Sequence, residues 1–133
     1  MSDFDDPDGT RRQARAVRKK RHWLEDIVSY GKSIVAKLER LTESSFVADA
    51  DVCDLTYYRL LCVSEAVRNV LQVDPAIVER QPHIPWTAIR ALGNILRHEY
   101  GGIDPSTIWR TFGRGDLAVL IAAAQLELLR LEA

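Results

Sequence analysis

The sequence predicts an all-α fold, an antiparallel bundle of about five helices joined by short loops. Apolar residues recur at steps of three and four along several segments, which is the spacing of one helical face. No segment alternates apolar and polar residues with the period of two that indicates a half-buried strand. The length of 133 residues favours one domain with a single core, and proline and glycine separate the periodic segments.

The first predicted helix is long and covers about residues 14–42. One apolar stripe runs along it from Trp23 to Leu41, and a stripe of this kind packs against the rest of a bundle. Residues 42–50 contain two adjacent serines, and we interpret them as a connection.

Asp49 or Asp51 is placed to cap a second helix, which the apolar spacing puts at about residues 51–73. An Asp-Pro pair ends this helix, because the residue before a proline is disfavoured in helical geometry. Residues 74–84 contain two prolines and are predicted to form a loop with at most a short turn.

Three shorter helices are predicted in the second half of the chain. The third helix covers about residues 85–99, with Pro85 at its first position and a Gly-Gly pair after its end. An Asp-Pro pair then opens a fourth helix at about 105–111. Asp116 is placed to cap a last helix at about 116–131.

Composition narrows the class of protein. The formal net charge is −1, which by itself points neither to nucleic acid nor away from it. The longest apolar run, residues 117–124, is far shorter than the ~20 residues that span a bilayer. We expect no secretory signal and a cytoplasmic protein. Cys53 and Cys62 form no metal-binding pattern, and we expect both thiols to be reduced.

Charge is concentrated at the N-terminus, where four aspartates precede a basic run. We interpret residues 1–21 as an acidic, then basic extension that is partly disordered, and residues 22–133 as the helical domain. The basic run is a candidate for holding phosphates, and it can equally be a solvated start of the first helix. Its members are Arg11, Arg12, Arg15, Arg18, Lys19, Lys20 and Arg21.

The third predicted helix separates into an apolar and a polar side at 100° per residue. We expect its apolar arc to form the core face, and its members are Ala88, Ile89, Leu92, Ile95 and Leu96. The polar strip contains Arg90, Asn94, Arg97 and His98. Gly93 lies at the edge of this strip, and a mid-helix glycine costs about 1 kcal/mol relative to alanine. We therefore expect a backbone or a ligand to approach closely at that position.

This strip suits the cleavage of RNA without a metal, because the 2′-hydroxyl is an internal nucleophile. Histidine can transfer protons near neutral pH, and arginine can bind a phosphate and stabilise the charge that builds on it. One chain supplies a single histidine in the strip, so a second proton-transfer group has to come from elsewhere, for example from a second subunit. The alternative is structural, since cations near a helix C-terminus are favoured by the macrodipole.

These residues resemble the HepT-like family, small helical proteins of the HEPN superfamily. The resemblance rests on Pro85-Trp86, on residues 91–100 (ALGNILRHEY), on Gly102-Ile103-Asp104 and on Ile108-Trp109. Residues 58–66 also resemble the family's helix with a Gly-Glu-Ala-like segment.

The resemblance implies a toxin of a toxin–antitoxin pair, acting as a metal-independent RNase without a cofactor. It implies a homodimer with a shared cleft, and a nucleotidyltransferase antitoxin that modifies a tyrosine. His98 matches the motif histidine and Tyr100 the motif tyrosine, and the Glu65 counterpart suggests a place near the cleft, paired with Arg90 or Arg97.

One position departs from the pattern of the family. Gly93 stands where the motif arginine is expected, and Arg97 and Arg90 are the two candidates to replace it as the phosphate clamp. Asn94 follows as the orienting residue. Two alternatives stay open at this point: a catalytically weak partner of the nucleotidyltransferase, and a helical protein that binds nucleic acid through residues 11–21 without cleaving it.

Overall fold

The computed structural model describes residues 9–99, 102–111 and 114–133, and these residues contain seven helices and no strand. The predicted all-α bundle is confirmed, and each of the five predicted helices is present. The helices are α1 Thr10–Leu38, α2 Glu43–Ala48, α3 Ala50–Val73, α4 Ile77–Arg80, α5 Trp86–His98, α6 Pro105–Thr111 and α7 Arg114–Glu132.

Two short helices, α2 and α4, occupy segments that were predicted as a connection and a loop. Thr42 and Ser45 form a reciprocal capping box that starts α2, and Phe46 anchors the helix with a fully buried ring. Ile77 anchors α4 in the same way. Each helix is too short to show apolar periodicity and buries a single side chain. The sequence pattern therefore did not predict either of them.

The four longer helices lie side by side in the order α7, α1, α3, α5. α1 packs against α7 on one side and α3 on the other, and α3 also packs against α5. Neighbours are antiparallel: Lys20 near the start of α1 bonds to Asp74 at the end of α3, while Tyr30 contacts Tyr58. α5 and α7 are thus the outermost helices of this row, and α1 and α3 lie between them.

Several helix boundaries differ from the predicted ones. α1 begins at Thr10, so the basic run is helical and continuous with the helix that enters the core. Asp49, not Asp51, caps α3 by accepting from the Val52 amide at 3.1 Å. α7 begins at Arg114, which places Asp116 in its first turn and not at its cap. Residues 1–8 of the extension that was predicted to be partly disordered lie outside the described part of the chain, and the boundary between residues 21 and 22 stays a prediction.

An ion network ties the ends of four helices together. Arg80 on α4 donates to Asp74 after α3 and, at 2.6 Å from Nη2, to Oε1 of Glu127 on α7. Lys20 on α1 donates to the same aspartate at 3.2 Å, and Gln81 donates to the other Glu127 oxygen at 3.1 Å. The Glu127 side chain is only 3% exposed, so its charge depends on these partners.

Two surface properties complete the fold. Among the helices described, none combines the length and apolar character that a membrane span requires. The outer side of α7 exposes Val119, Leu126 and Leu129, and its inner side packs on α1 where Gly31 faces Ile121.

Candidate active site

The polar side of α5 carries an arginine whose guanidinium is held from two directions. Arg97 donates from Nη1 to Oε2 of Glu65 on α3 at 2.8 Å. It donates from Nη2 to Oδ1 of Asn94 on α5 at 2.7 Å. Glu65 also accepts from Nη1 of Arg68 at 2.9 Å. Glu65, Asn94 and Arg97, all predicted for the site, thus form one cluster with Arg68, here called the α3–α5 cluster.

The ion pair in this cluster orients the arginine more than it stabilises the fold. The side chains of Arg97 and Glu65 are each 36% exposed, and water screens ion pairs at that exposure. A guanidinium has five N–H donors in a fixed plane, and most of those of Arg97 remain for another anion. A phosphate that approaches this side of α5 therefore meets a guanidinium in a defined orientation.

Gly93 is buried where α5 crosses α3, and the residue that approaches it is Ser64 of the same chain. A Cβ atom at position 93 would lie 2.7 Å from Ser64 Oγ and 3.2 Å from Ser64 Cβ. The same Cβ would be 3.8 Å from Nη1 of Arg97. The glycine thus serves the packing of α5 on α3 within one subunit, and the Arg97 guanidinium lies at ordinary contact distance from the same position.

This packing rotates α5 relative to the predicted core face. Trp86, Gly93 and Leu96 are buried, whereas Ala88 and Ile95 are exposed, Ile95 by 46%. The prediction that Ala88 and Ile95 face the core is wrong, because the close contact at Gly93 turns that side of the helix toward α3. Ala88, Ala91, Ile95 and His98 recur at steps of three and four, and they form an exposed strip that ends at the histidine.

An open groove of about 740 Å³ lies beside the α3–α5 cluster. α1, α3 and α5 each contribute to its walls. All four members of the cluster line it, and the other lining residues are Trp23, Asp26, Tyr30, Leu61 and Cys62. We call this space the main groove.

A second, smaller groove of about 520 Å³ lies between α3 and α5 and shares Arg68 and Asn94 with the main groove. Arg90 lines this second groove and has no ion pair or hydrogen bond among the described residues. The two candidate clamps therefore point to different spaces. Arg97 is oriented toward the main groove by two partners, and Arg90 is an unrestrained cation near the second.

His98 lies in the last turn of α5 with an exposed side chain. It is one turn beyond Asn94, and it does not line the main groove of its own subunit. The buried hydroxyl of Tyr57 donates to the Leu96 carbonyl at 2.9 Å, which fixes this turn against α3. Tyr100, the predicted site of modification, lies outside the described residues.

The wall of the main groove opposite α5 is aromatic and sulfur-containing. The Cys62 thiol and the Tyr58 phenol beside it raise the pKa of Tyr30. Because tyrosine already titrates near pH 10, Tyr30 stays a neutral hydroxyl at physiological pH. This wall offers hydrogen bonding and ring surface to a ligand, and the guanidinium groups of the cluster offer charge.

Sequence reasoning missed three residues of this region. Arg68 follows Glu65 by three residues, a spacing that predicts contact on one helix face and could have identified it. Trp23 was assigned to an apolar stripe, and it is half-buried in the groove wall. Ser64 could not be found from the sequence, because its contact with Gly93 depends on how two helices cross.

The family described as "Ribonuclease HepT-like" matches residues 24–126, which is well over half of the chain. The chain belongs to the HepT-like ribonuclease family. The resemblance stated from the motif residues is confirmed, and so is RNA as the class of molecule on which this family acts.

Three curated relatives of this HepT-like chain share the name "Putative RNase". MJ0125 of Methanocaldococcus jannaschii is 28% identical over 89 residues, 67% of this chain and 74% of the relative. MJ1216 of the same organism is 27% identical and covers 67% and 71% of the two chains. TTE0752 of Caldanaerobacter subterraneus subsp. tengcongensis is 25% identical and covers 71% and 82%. No solved structure matches this chain at a significant level.

Proposed function

We propose that this HepT-like chain is the toxin of a toxin–antitoxin pair and a metal-independent endoribonuclease that works as a cytoplasmic homodimer. A nucleotidyltransferase antitoxin, encoded beside it, neutralises it by modifying Tyr100. The observation that carries the proposal is the Arg97 guanidinium, held by Glu65 and Asn94 and next in sequence to the exposed His98.

The proposed reaction is an internal transesterification. One His98 takes the proton of the 2′-hydroxyl, whose oxygen attacks the adjacent phosphorus. The bond from phosphorus to the 5′-oxygen breaks, and the second His98 of the dimer protonates that oxygen. The products are a 2′,3′-cyclic phosphate and a 5′-hydroxyl. Arg97 stabilises the negative charge on the phosphorane while both bonds are partial.

The dimer supplies the second imidazole that one chain lacks. The exposed strip of Ala88, Ala91 and Ile95 leads directly to His98, so two copies that pack along this strip bring both imidazoles to their boundary. An exposed isoleucine in the middle of the strip supports this packing, because apolar area removed from water favours association.

Cleavage by purified protein in the presence of EDTA tests the proposal. Wild-type protein should cut RNA to fragments with 2′,3′-cyclic phosphate ends. His98→Ala should reduce the rate by roughly 100-fold or more, which is the usual contribution of acid–base catalysis. His83→Ala, an exposed histidine in the loop before α5, is the matched control and should keep the wild-type rate. Equal rates for His98→Ala and wild type would refute the role of His98.

The two candidate clamps are separated by the same assay under single-turnover conditions. Arg97→Ala should reduce the chemical rate by roughly 100-fold, as the loss of one stabilising donor does elsewhere. Arg90→Ala should reduce it by less than about tenfold, since Arg90 lines only the second groove. A larger loss of rate for Arg90→Ala than for Arg97→Ala would identify Arg90 as the residue that binds the phosphate.

Gly93 in place of the motif arginine favours one other function, a catalytically weak partner of the nucleotidyltransferase. That function predicts no RNA cleavage and no effect of expression on bacterial growth, while the complex with the nucleotidyltransferase still forms. Co-purification of the two proteins together with the cleavage assay distinguishes the two functions.

A further inference from the structure

The main groove contains one carboxylate that the arginine clamp does not explain. Glu65 binds the guanidinium groups of Arg97 and Arg68, so its charge has a structural use. Asp26 on α1 also lines the groove, and its partner among the described residues is His22, with Nε2 3.6 Å from Oδ2. That distance is longer than a hydrogen bond, so the oxygens of Asp26 remain able to accept from a ligand.

An acidic residue is not expected in a groove that binds only phosphates. An ionised carboxylate accepts hydrogen bonds and donates none, and it repels the negative charge of a phosphate. The groups of RNA that can donate to a carboxylate are the 2′-hydroxyls and the N–H groups on the edges of unpaired bases. Asp26 therefore suits the sugar or the base of a nucleotide and not its phosphate.

Trp23 favours the base, because it presents an aromatic ring beside Asp26. The two residues are three positions apart on α1, a spacing that makes their side chains neighbours on the helix surface. The Trp23 ring is half-buried in the groove wall, and it meets the His22 ring edge-on, with centroids 4.7 Å apart. Unpaired bases of RNA stack on aromatic side chains and are recognised by hydrogen bonds along their edges.

The main groove has the dimensions of a nucleotide site. α3 lies between α1 and α5 in the bundle and contributes Leu61 and Cys62 to the lining. A helix with its side chains is about 10 Å across, so a base against α1 and a phosphate at Arg97 on α5 are separated by the width of α3. The groove volume of about 740 Å³ is also within the range of pockets that bind small molecules.

Guanine is the base that matches a carboxylate best. Its N1–H and its N2 amino group lie side by side and can donate to both oxygens of one carboxylate, which is a bidentate pair. Adenine and cytosine each offer one amino group beside a ring nitrogen that accepts, and uracil offers one N–H between two carbonyls. With these three bases, the second carboxylate oxygen meets an acceptor and is repelled.

We propose that the main groove binds a guanine base of single-stranded RNA, with Asp26 accepting from N1–H and from the N2 amino group and Trp23 stacking on the base. The phosphate of the same strand then lies at Arg97 on the other side of the groove. The inference rests on the proposed function, because it gives the RNase a preferred base beside the bond that it cleaves.

Binding is measured on the full-length His98→Ala protein, so that RNA stays intact, by fluorescence anisotropy of labelled 9-nucleotide RNAs. Each RNA is an oligouridine with one central guanosine, inosine or adenosine. The guanosine RNA should bind about tenfold more tightly than the adenosine RNA, a discrimination typical of a bidentate pair. Inosine differs from guanosine by the loss of the N2 amino group, so the inosine RNA should bind with intermediate affinity.

Asp26→Asn tests the carboxylate, because a carboxamide replaces one acceptor by a donor. This change should bring the three affinities within about twofold of one another, while circular dichroism confirms a folded protein. Glu25→Gln is the matched control. It removes the same charge at the neighbouring, exposed position outside the groove lining, and it should keep the tenfold preference.

Trp23→Leu tests the stacking. It should weaken the binding of the guanosine RNA by about fivefold or more, since the contact between ring and base is lost. Unchanged binding in Trp23→Leu would overturn the stacking.

Equal affinities for the guanosine and adenosine RNAs, or an undiminished preference in Asp26→Asn, would overturn the recognition of guanine. Equal affinities for the guanosine and inosine RNAs would overturn the bidentate pair, and this comparison needs no variant at position 26. Because binding is read without cleavage, a protein that prefers guanosine but does not cut RNA would refute only the proposed function.

Discussion

Ser64 on α3 and Gly93 on α5 face each other where the two helices cross. Ser64 donates its hydroxyl to the Leu61 carbonyl at 2.9 Å, and that same hydroxyl and its Cβ fill the space where a side chain at 93 would begin. Rotation of the hydroxyl relieves only one of the two contacts. The interior is close-packed, so a side chain at 93 requires Ser64 or the backbone next to it to shift.

Gly93→Ala should therefore destabilise the protein by about 1 kcal/mol, although alanine is the better helix former by a similar amount. Ser64→Gly should remove the conflict, and a double-mutant cycle from urea unfolding should give a coupling of about 1–2 kcal/mol. Gly115→Ala on α7 is the control, because no described atom beyond its chain neighbours and the backbone of its own helix lies within 4 Å of the added Cβ, and it should not destabilise. A cycle with no coupling would contradict the close contact.

At the level of single residues, the sequence allowed part of the site to be predicted. Glu65, Asn94 and Arg97 were selected from the polar strip and the resemblance, and the structure brings them into one cluster. The contact of Ser64 with Gly93 was not predicted, because helical spacing gives the faces of each helix but not the rotation of one helix on another.

At the level of elements, α5 is the helix on which the site depends, and its C-terminal turn is held by one buried hydrogen bond. The Leu96 carbonyl is among the last carbonyls of the helix, which lack partners in the helix itself. The Tyr57 hydroxyl supplies the partner at 2.9 Å. The turn that carries Arg97 and His98 is thereby tied to α3.

Tyr57→Phe should cost about 1–3 kcal/mol of unfolding free energy, because it leaves a buried carbonyl without a partner. It should also lower the cleavage rate more than it changes substrate affinity, since His98 moves with this turn. Tyr58→Phe is the control: its ring is 56% exposed, and the change should stay within about 0.5 kcal/mol. Equal stabilities for the two variants would show that the hydroxyl does not support the turn.

The long elements were predictable because their apolar faces repeat over many turns, as in α1, α3 and α7. α2 and α4 were not predicted, since each has a single buried anchor. The buried face of α5 was predicted with the wrong rotation. The pattern of apolar residues does not identify a glycine as part of the packed face, whereas Gly93 is buried. Helix ends marked by an Asp-Pro pair were close to the observed ones, as at Pro105.

At the level of the whole molecule, the ion network makes the fold sensitive to acid. Burial raises the pKa of Asp74, but hydrogen bonds from Arg80 and Lys20 outweigh burial, and the net pKa is lowered. The same balance, with Arg80 and Gln81 as donors, lowers the pKa of Glu127. Both carboxylates therefore stabilise the fold above their ordinary pKa values of about 4, and that stability is lost as pH falls through their lowered values.

We expect the unfolding free energy to be level near neutral pH and to fall below about pH 4. Asp74→Asn should lower stability at pH 7 and flatten the decline in acid, because one of the responsible groups is gone. Glu25→Gln, at an exposed position of α1 without an ion pair among the described residues, should leave the profile unchanged. An unaltered acid decline in Asp74→Asn would contradict this role for Asp74.

The proposed dimer is also a property of the whole molecule, and a mutation in the exposed strip of α5 tests it. Ile95→Glu should dissociate the dimer to folded monomers, because it introduces a charge into the exposed strip of α5, and cleavage should be lost with the dimer. Sedimentation or light scattering measures the mass. Val119→Glu, on the outer side of α7 and separated from α5 by α1 and α3, should leave both mass and activity unchanged. Dissociation by Val119→Glu alone would place the interface on α7 and leave each His98 without its partner.

The contact between Ser64 and position 93 also limits what can be engineered there. A Cβ atom at 93 would lie 2.7 Å from Ser64 Oγ and 3.2 Å from Ser64 Cβ, so every side chain larger than glycine meets the same obstacle. An arginine installed at 93 therefore requires Ser64→Gly in the same protein, and the second guanidinium could then be compared with that of Arg97 in one scaffold.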